Sequence, residues 1–306
     1  MGDSAKIGSE TSVSVIIPNY NYSRFLPDAI ESVLAQTLPC DEILVVDDGS
    51  TDNSFETLAG YEKFGVKVIR QKNRGVGAAR NAGVAASTGT LLAFLDADDY
   101  WFPQKIEKQL ARLMADDKCG LVTCGMQEVD LDGNVINQYN DGLEGWCAED
   151  LLLIKPVVVG PGSTTLIRRV IFEQIGGYDE TKEMYPSEDW EFSYRAARAA
   201  KLAFISELLV GYRNHGGNGH LQIPRFERAM KIAFEKTFSS DDKDVLRFKR
   251  RSYGNLYKIL AGSYMHANQY GECLKNAAKS LFYTPENLAY FAAFPLRKRQ
   301  RKGYSK

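Results

Sequence analysis

The residues "TLLAFLDADDYW" at positions 90–101 place two opposite demands on one short segment. Leu91, Leu92, Ala93, Phe94 and Leu95 form an unbroken apolar run, the pattern of a strand buried on both faces of a parallel sheet. The run stops in Asp96, Asp98 and Asp99, three carboxylates whose mutual repulsion calls for a compensating cation or ligand. In open α/β sheets such polar strand ends gather at the carboxyl edge, where ligands bind.

The same beat recurs on the N-terminal side, in "SVSVIIP" at 12–18, "DEILVVDD" at 41–48 and "VKVIR" at 66–70. Helical spacing separates these runs: Leu26, Ile30, Val33 and Leu34 share a face, and Ile106, Leu110, Leu113 and Met114 do so after Pro103. Strand and helix alternating at this rhythm predict a mixed, mostly parallel α/β sheet flanked by helices. The first strand runs into "PNYN", the second ends at Asp47 and Asp48, and the fourth ends at Asp96, so all three polar clusters are expected on one sheet edge.

Further along, "VDLDGNVIN" predicts an antiparallel hairpin turning at Asp132 and Gly133, and "STTLIRR" at 163–169 another strand. "YPSEDWEFSYRAARAA" predicts a helix capped by Ser187 with Glu188 and Asp189 in its first turn. Strand-like segments follow at 201–215. From about 220 the pattern is helical, with Leu246, Leu256, Ile259 and Leu260 as expected core positions. The predicted organisation is a flexible arm at 1–11, a catalytic α/β unit at 12–220 and a helical region with a basic tail at 221–306.

Composition limits the functional classes. With 44% hydrophobic residues in 306 there is enough apolar material for a substantial core, and a net charge of -1 offers no bulk basicity for nucleic acid. The five cysteines are scattered without zinc-site spacing and are expected to be reduced core thiols. The polar opening residues and the lack of an eighteen-residue apolar run predict neither a signal peptide nor a membrane span, hence a cytoplasmic protein.

Two carboxylates separated by one residue at a strand end can aim oxygens at Mg2+ or Mn2+. "NRGVGAARNAG" at 73–83 adds Gly75, Gly77 and Gly83, whose small size lets Arg80 approach the same edge. Neither a Walker phosphate loop nor a G-x-G-x-x-G after the first strand is present, so phosphates would be met by metal and cationic side chains.

Together, "SVIIPNYN", "VVDDGSTDNS", "NRGVGAARNAG", "FLDADD" and "SEDWEFSYR" resemble, in order and spacing, the inverting family 2 glycosyltransferases with their GT-A fold, over roughly residues 12–215. The resemblance implies a nucleotide-sugar donor whose uracil-type base lies against Pro18 and Tyr20, with Asp48 accepting from its N3–H. It places Asp96 and Ala97 near the ribose or metal, gives Asp98 the divalent ion, and makes Arg80 a nucleotide-facing cation. It assigns the general base to Asp189, and His215 of "YRNH" becomes a second metal ligand. Asp99 is expected to hydrogen-bond the following turn. The acceptor implied is a saccharide or lipid-linked hydroxyl, in cell-surface polysaccharide or glycan biosynthesis. The alternatives are a sugar nucleotidyltransferase, which would need a Gly-rich first loop, and a non-catalytic module of the same fold.

The C-terminal text is similar to one tetratricopeptide helix pair at 256–285, and a single copy reads as a cap on the α/β unit. From Arg297 onward there are six basic residues and no acid, a composition that suits peripheral contact with an anionic cytoplasmic membrane face.

Overall fold

The computed structural model describes residues 11–155, 161–219 and 222–293. The expected N-terminal arm up to residue 10, the boundary at 220 and the basic tail from Arg297 lie outside these.

In chain order the strands are β1 (Val13–Asn19), β2 (Glu42–Asp47), β3 (Val66–Arg70), β4 (Leu91–Phe94), β5 (Tyr100–Trp101), β6 (Cys119–Val129), β7 (Val135–Tyr139), β8 (Leu166–Arg168) and β9 (Lys201–Arg213). They form one mixed sheet in the order β3-β2-β1-β4-β8-β6-β9-β5, with β7 paired to β6. The first four strands are parallel, and β8 joins β4 antiparallel. Because the chain leaves β1 for β2 on one side and later returns to β4 on the other, the strand order reverses at β1. That reversal opens a crevice at the carboxyl ends.

Each apolar run serves both faces of the sheet, as its continuity predicts. Ile16, Val46, Leu92 and Phe94 point into one core cluster, and Val15, Ile17, Val45 and Ala93 into another. Helices α1 (Leu26–Leu34) and α2 (Ser54–Ala59) follow β1 and β2, α3 (Val76–Ala85) follows β3, and α4 (Lys105–Met114) follows β5. Helix α3 lies close on the sheet because residue 83 is glycine: a Cβ there would stand 2.5 Å from Ile16 Cγ2. Leu34 and Met114, expected in the core, are exposed instead. Each sits in the last turn of its helix, and Ala29 takes the buried place beside Leu26, Ile30 and Val33.

The hairpin β6–β7 turns at the expected place, with Gly133 in the left-handed region (φ 85°). The expected strand at 163–169 begins instead with a helical turn, α6 (Pro161–Thr164), which follows α5 (Ala148–Leu152) and precedes β8. After α7 (Arg169–Gln174), α8 (Glu188–Ala199) leads into β9. The C-terminal region holds α9 (Ile223–Thr237), α10 (Lys243–Leu246), α11 (Lys249–His266), α12 (Tyr270–Tyr283) and α13 (Leu288–Ala292). Met230, Phe234, Leu256 and Leu260 from these helices belong to the same cluster as Phe94 and Phe192. Leu246 and Ile259 are only partly buried. All five cysteines are free thiols. Among the described residues no helix is long and apolar enough to cross a membrane.

Candidate active site

The carboxyl ends of β1, β2 and β4 open into a cavity of about 1020 Å³. Pro18, Tyr20, Asp48, Arg80, Asp96, Ala97, Asp98 and Asp189 all line it. These residues come from five separate stretches of the chain; the strand order gathers those at the strand ends, and α3 and α8 bring Arg80 and Asp189 to the same edge.

Asp48 follows β2 and is almost fully buried. One of its oxygens accepts from Gln71 Nε2 (2.7 Å) and the Arg74 amide (2.8 Å), the other from the Gly75 amide (2.8 Å). The carboxylate therefore anchors the loop between β3 and α3. It still has acceptor capacity toward the cavity, since a carboxylate offers about four lone-pair positions. Pro18 is buried in β1, whereas Tyr20 stands exposed at the rim.

Arg80 is the electrostatic centre. Its side chain is 1% exposed, with Nη1 at 2.6 Å from Asp189 Oδ1 and 3.4 Å from Glu188 Oε1, and Nη2 at 2.8 Å from Asp96 Oδ1. The guanidinium also lies over the Tyr178 ring at 4.8 Å. The cation expected to face a nucleotide is thus occupied by three acidic side chains, and it ties the end of β4 to the start of α8. Gly162 is required here: a Cβ would meet Asp96 Oδ2 at 2.5 Å and Arg80 Nη2 at 2.6 Å.

Glu188 and Asp189 are neighbours with different surroundings. Glu188 is buried, its Oε2 lacks a partner, and burial together with the Asp189 charge, opposed by Arg80, pushes its carboxyl up to about 8. Asp189 is partly open to the cavity, and Arg80 holds only Oδ1. The first turn of α8 favours negative charge on both through the helix dipole. Ser187 occupies the N-cap position, but its hydroxyl is buried without a partner and does not cap.

At the β4 end, Asp98 Oδ2 lies 2.8 Å from His215 Nε2. That hydrogen bond, opposed by desolvation, raises the imidazole above its usual range. His215 stands behind Asp98, packed between Tyr22 (centroids 5.6 Å apart) and Phe25 (5.4 Å). Asp96 is raised by burial and by Asp189 and Asp98, against the pull of Arg80. Asp99 does not bond the following turn through its side chain, as expected; it accepts from Ser163 Oγ (2.5 Å) and the Arg213 amide (3.0 Å). It thereby pins β9 and α6 to the acidic strand end, and Ser163 Oγ in turn accepts from the Asp96 amide.

Sequence reasoning missed Tyr22, Phe25, Gly162 and Ser163, because their roles depend on contacts across distant segments. Trp190 is half-buried against Tyr194 and Phe234 and donates from Nε1 to Leu151 O (3.1 Å), while its edge lines the cavity.

A doubly flanked sheet with an acidic crevice at its carboxyl edge defines a GT-A architecture, and solved structures of that class match it. TarS of S. aureus, crystallised with UDP-GlcNAc, superposes with a TM-score of 0.63 at 18% identity, covering 90% of this chain and 82% of that one. The mannosyltransferase PcManGT of Pyrobaculum calidifontis, in complex with GDP-Man and Mn2+, gives a TM-score of 0.64 at 18% identity, covering 96% and 83%. The model for glycosyl transferase family 2 matches residues 14–176, and the chain belongs to that family. An uncharacterized glycosyltransferase of Nostoc sp. is 38% identical over 219 residues, 68% of this chain. The match spans 66% of that relative's length, just under two thirds.

Proposed function

We propose that the chain is a metal-dependent, inverting glycosyltransferase that moves a sugar from a nucleotide-sugar, UDP-linked, to a hydroxyl of a saccharide or lipid-linked acceptor. The observation that carries this reading is the excess of carboxylate in one cavity. Asp48, Asp96, Asp98 and Asp189 line it, and Arg80 is the buried cation set among them. Family membership and the nucleotide-sugar complexes of the two solved relatives support the donor class.

The donor set fits a divalent ion. Asp98 supplies a hard oxygen and His215 an imidazole nitrogen close beside it, a combination that suits Mn2+ and, less well, Mg2+. Among the described residues no three His, Cys, Asp or Glu side chains are grouped so as to hold a metal ion by themselves, so phosphate oxygens of the donor would complete the shell, as Mg2+-type sites commonly require. Bound there, the ion would offset the charge of the departing nucleoside diphosphate. Asp48, fixed by three donors, presents its remaining acceptor capacity to the base, with Pro18 and Tyr20 on either side. Asp189 Oδ2 accepts the proton of the acceptor hydroxyl as that oxygen attacks the anomeric carbon. The bond to the diphosphate breaks on the opposite face, and the configuration inverts. Arg80 holds Asp189 Oδ1 and so aims the carboxylate, and links it to Asp96.

Calorimetry with a panel of nucleotide-sugars and Mn2+ tests the reading. A UDP-sugar should bind in a metal-dependent way and be turned over, and Asp98→Ala should remove the metal-dependent part and nearly all turnover. Unchanged metal dependence in Asp98→Ala would overturn the site, and tighter binding of a purine nucleotide-sugar would overturn the uracil assignment.

A further inference from the structure

The last long helix buries the wrong side chains. Helix α12 turns Cys273, Asn276 and Ser280 inward, while Leu274 is 71% exposed and Phe282 78% exposed. Tyr270 and Leu274 stand four residues apart and Phe282 eight further on, all exposed on the outer side of α12. Leu288, opening α13, adds another exposed apolar side chain at 61%. A helix in water gains by the reverse arrangement, since burying a Leu or Phe side chain is among the larger favourable terms in folding. The inward face is set by close approach to α11: Ser280 Oγ donates to Gly254 O at 2.8 Å, and Asn287 Nδ2 donates to Ser280 Oγ at 3.0 Å. The helix is therefore locked with Tyr283 stacked on α11 and with Tyr270, Leu274 and Phe282 outward. Several large apolar side chains exposed on the same short stretch of chain point to a docking face.

Charge identifies the occupant. From Tyr270 to Lys306 there are eight basic and two acidic residues in a chain whose net charge is -1. Lys275 and Lys279 lie on α12 itself, and Arg297, Lys298, Arg299, Arg301 and Lys302 follow α13 closely in the sequence. A second copy of this chain would bring like charges together across a twofold axis. Lys275 pairs with Glu272 and Lys279 lies over the Tyr257 ring, so the free positive charge is that of the basic run in the sequence. An apolar helix face continued by such a run matches the interface of an anionic bilayer, with the apolar residues among the acyl chains and the cations at the headgroups.

We propose that the outer face of α12 and α13, centred on Leu274, Phe282 and Leu288, docks the protein on an anionic phospholipid surface. The proposal bears on the lipid-linked acceptor within the functional reading above, and its test needs no turnover. The full chain is sedimented with phosphatidylcholine vesicles, with and without phosphatidylglycerol. The unaltered protein should bind the anionic vesicles, less so in high salt. The double variant Leu274→Glu, Phe282→Glu should lose more than about tenfold in vesicle affinity. The milder Phe282→Ser should lose a smaller part, and UDP affinity and the circular dichroism spectrum should stay unchanged in both. No binding by the unaltered chain overturns the proposal, as does equal binding by the double variant. A dimer of the unaltered chain that the double variant abolishes would assign the face to a second copy and overturn it equally. Absence of donor binding with vesicle binding intact would sink the functional reading and leave this one standing.

Discussion

The two ends of this molecule treat buried polar groups in opposite ways. At the carboxyl edge of the sheet the buried groups are ionisable, and one guanidinium holds three carboxyl groups drawn from two other segments. In the last two long C-terminal helices the buried polar groups are small and neutral, such as Ser252, Asn276 and Ser280, while Leu274 and Phe282 of α12 face outward. Ionised groups in a protected crevice keep strong fields and cost stability, which suits chemistry; neutral hydrogen bonds lock a helix pair in register at little cost. The contrast separates a region arranged for a charged ligand from one arranged to hold a surface in place.

The sharpest way to break this contrast is at Asp189. If the acidic edge is reactive, Asp189→Asn should leave UDP affinity within a few-fold and lower the transfer rate by about two to four orders of magnitude, the usual worth of a positioned base. A rate within tenfold of the parent would remove Asp189 from the chemistry. Next is Arg80→Met, which keeps much of the volume and removes the charge. Leaving Asp96 and Asp189 without their buried partner should cost about 3–5 kcal/mol in urea unfolding, the range for breaking a buried ion pair. A loss below 1 kcal/mol would show that water screens the cluster and that Arg80 is no hub.

How much of this was legible beforehand follows the range of the interactions involved. The strands could be read because a buried parallel strand is an unbroken apolar run, and the edge could be read because Asp47, Asp48 and Asp96 end such runs. Pairings across the chain could not be read. Arg80 meets Glu188 and Asp189 more than a hundred positions away, and Asp99 meets Ser163 and Arg213 at 64 and 114. For α12, periodicity marks an apolar stripe but does not say whether that stripe meets the core. The answer depends on how closely Gly254 of α11 lets the helix approach: a Cβ there would stand 2.0 Å from Thr284 Oγ1.

In the C-terminal helices the corresponding probe is Ser280→Ala, which deletes a hydroxyl that donates to Gly254 O and accepts from Asn287. The expected loss is about 1–2 kcal/mol, the worth of a neutral hydrogen bond plus an unpaired partner. UDP affinity should not change. A fall in UDP affinity as large as the fall in stability would mean that the two regions are coupled, and the contrast drawn between them would fail.

The smallest effect should come from Glu188, the buried neighbour of the proposed base. Glu188 and Asp189 are consecutive, yet burial and the Asp189 charge, against Arg80, push the Glu188 carboxyl up to about 8, so at neutral pH it carries its proton. Glutamine has the shape of that neutral acid. Glu188→Gln should therefore keep the transfer rate within about threefold of the parent at pH 7, where Asp189→Asn loses orders of magnitude. Stability supplies the second readout. An unfolded glutamate titrates near 4.3, below the folded value, so between these pH values the native state binds more protons than the unfolded state. The parent should lose stability as pH rises from about 4.5 to 8, and the glutamine variant, having no carboxyl at position 188 to titrate there, should lose less. Urea unfolding of both proteins across that range decides it. Parallel curves would show that Glu188 is ionised in the native state, and the difference drawn between these two adjacent acids would then have no basis.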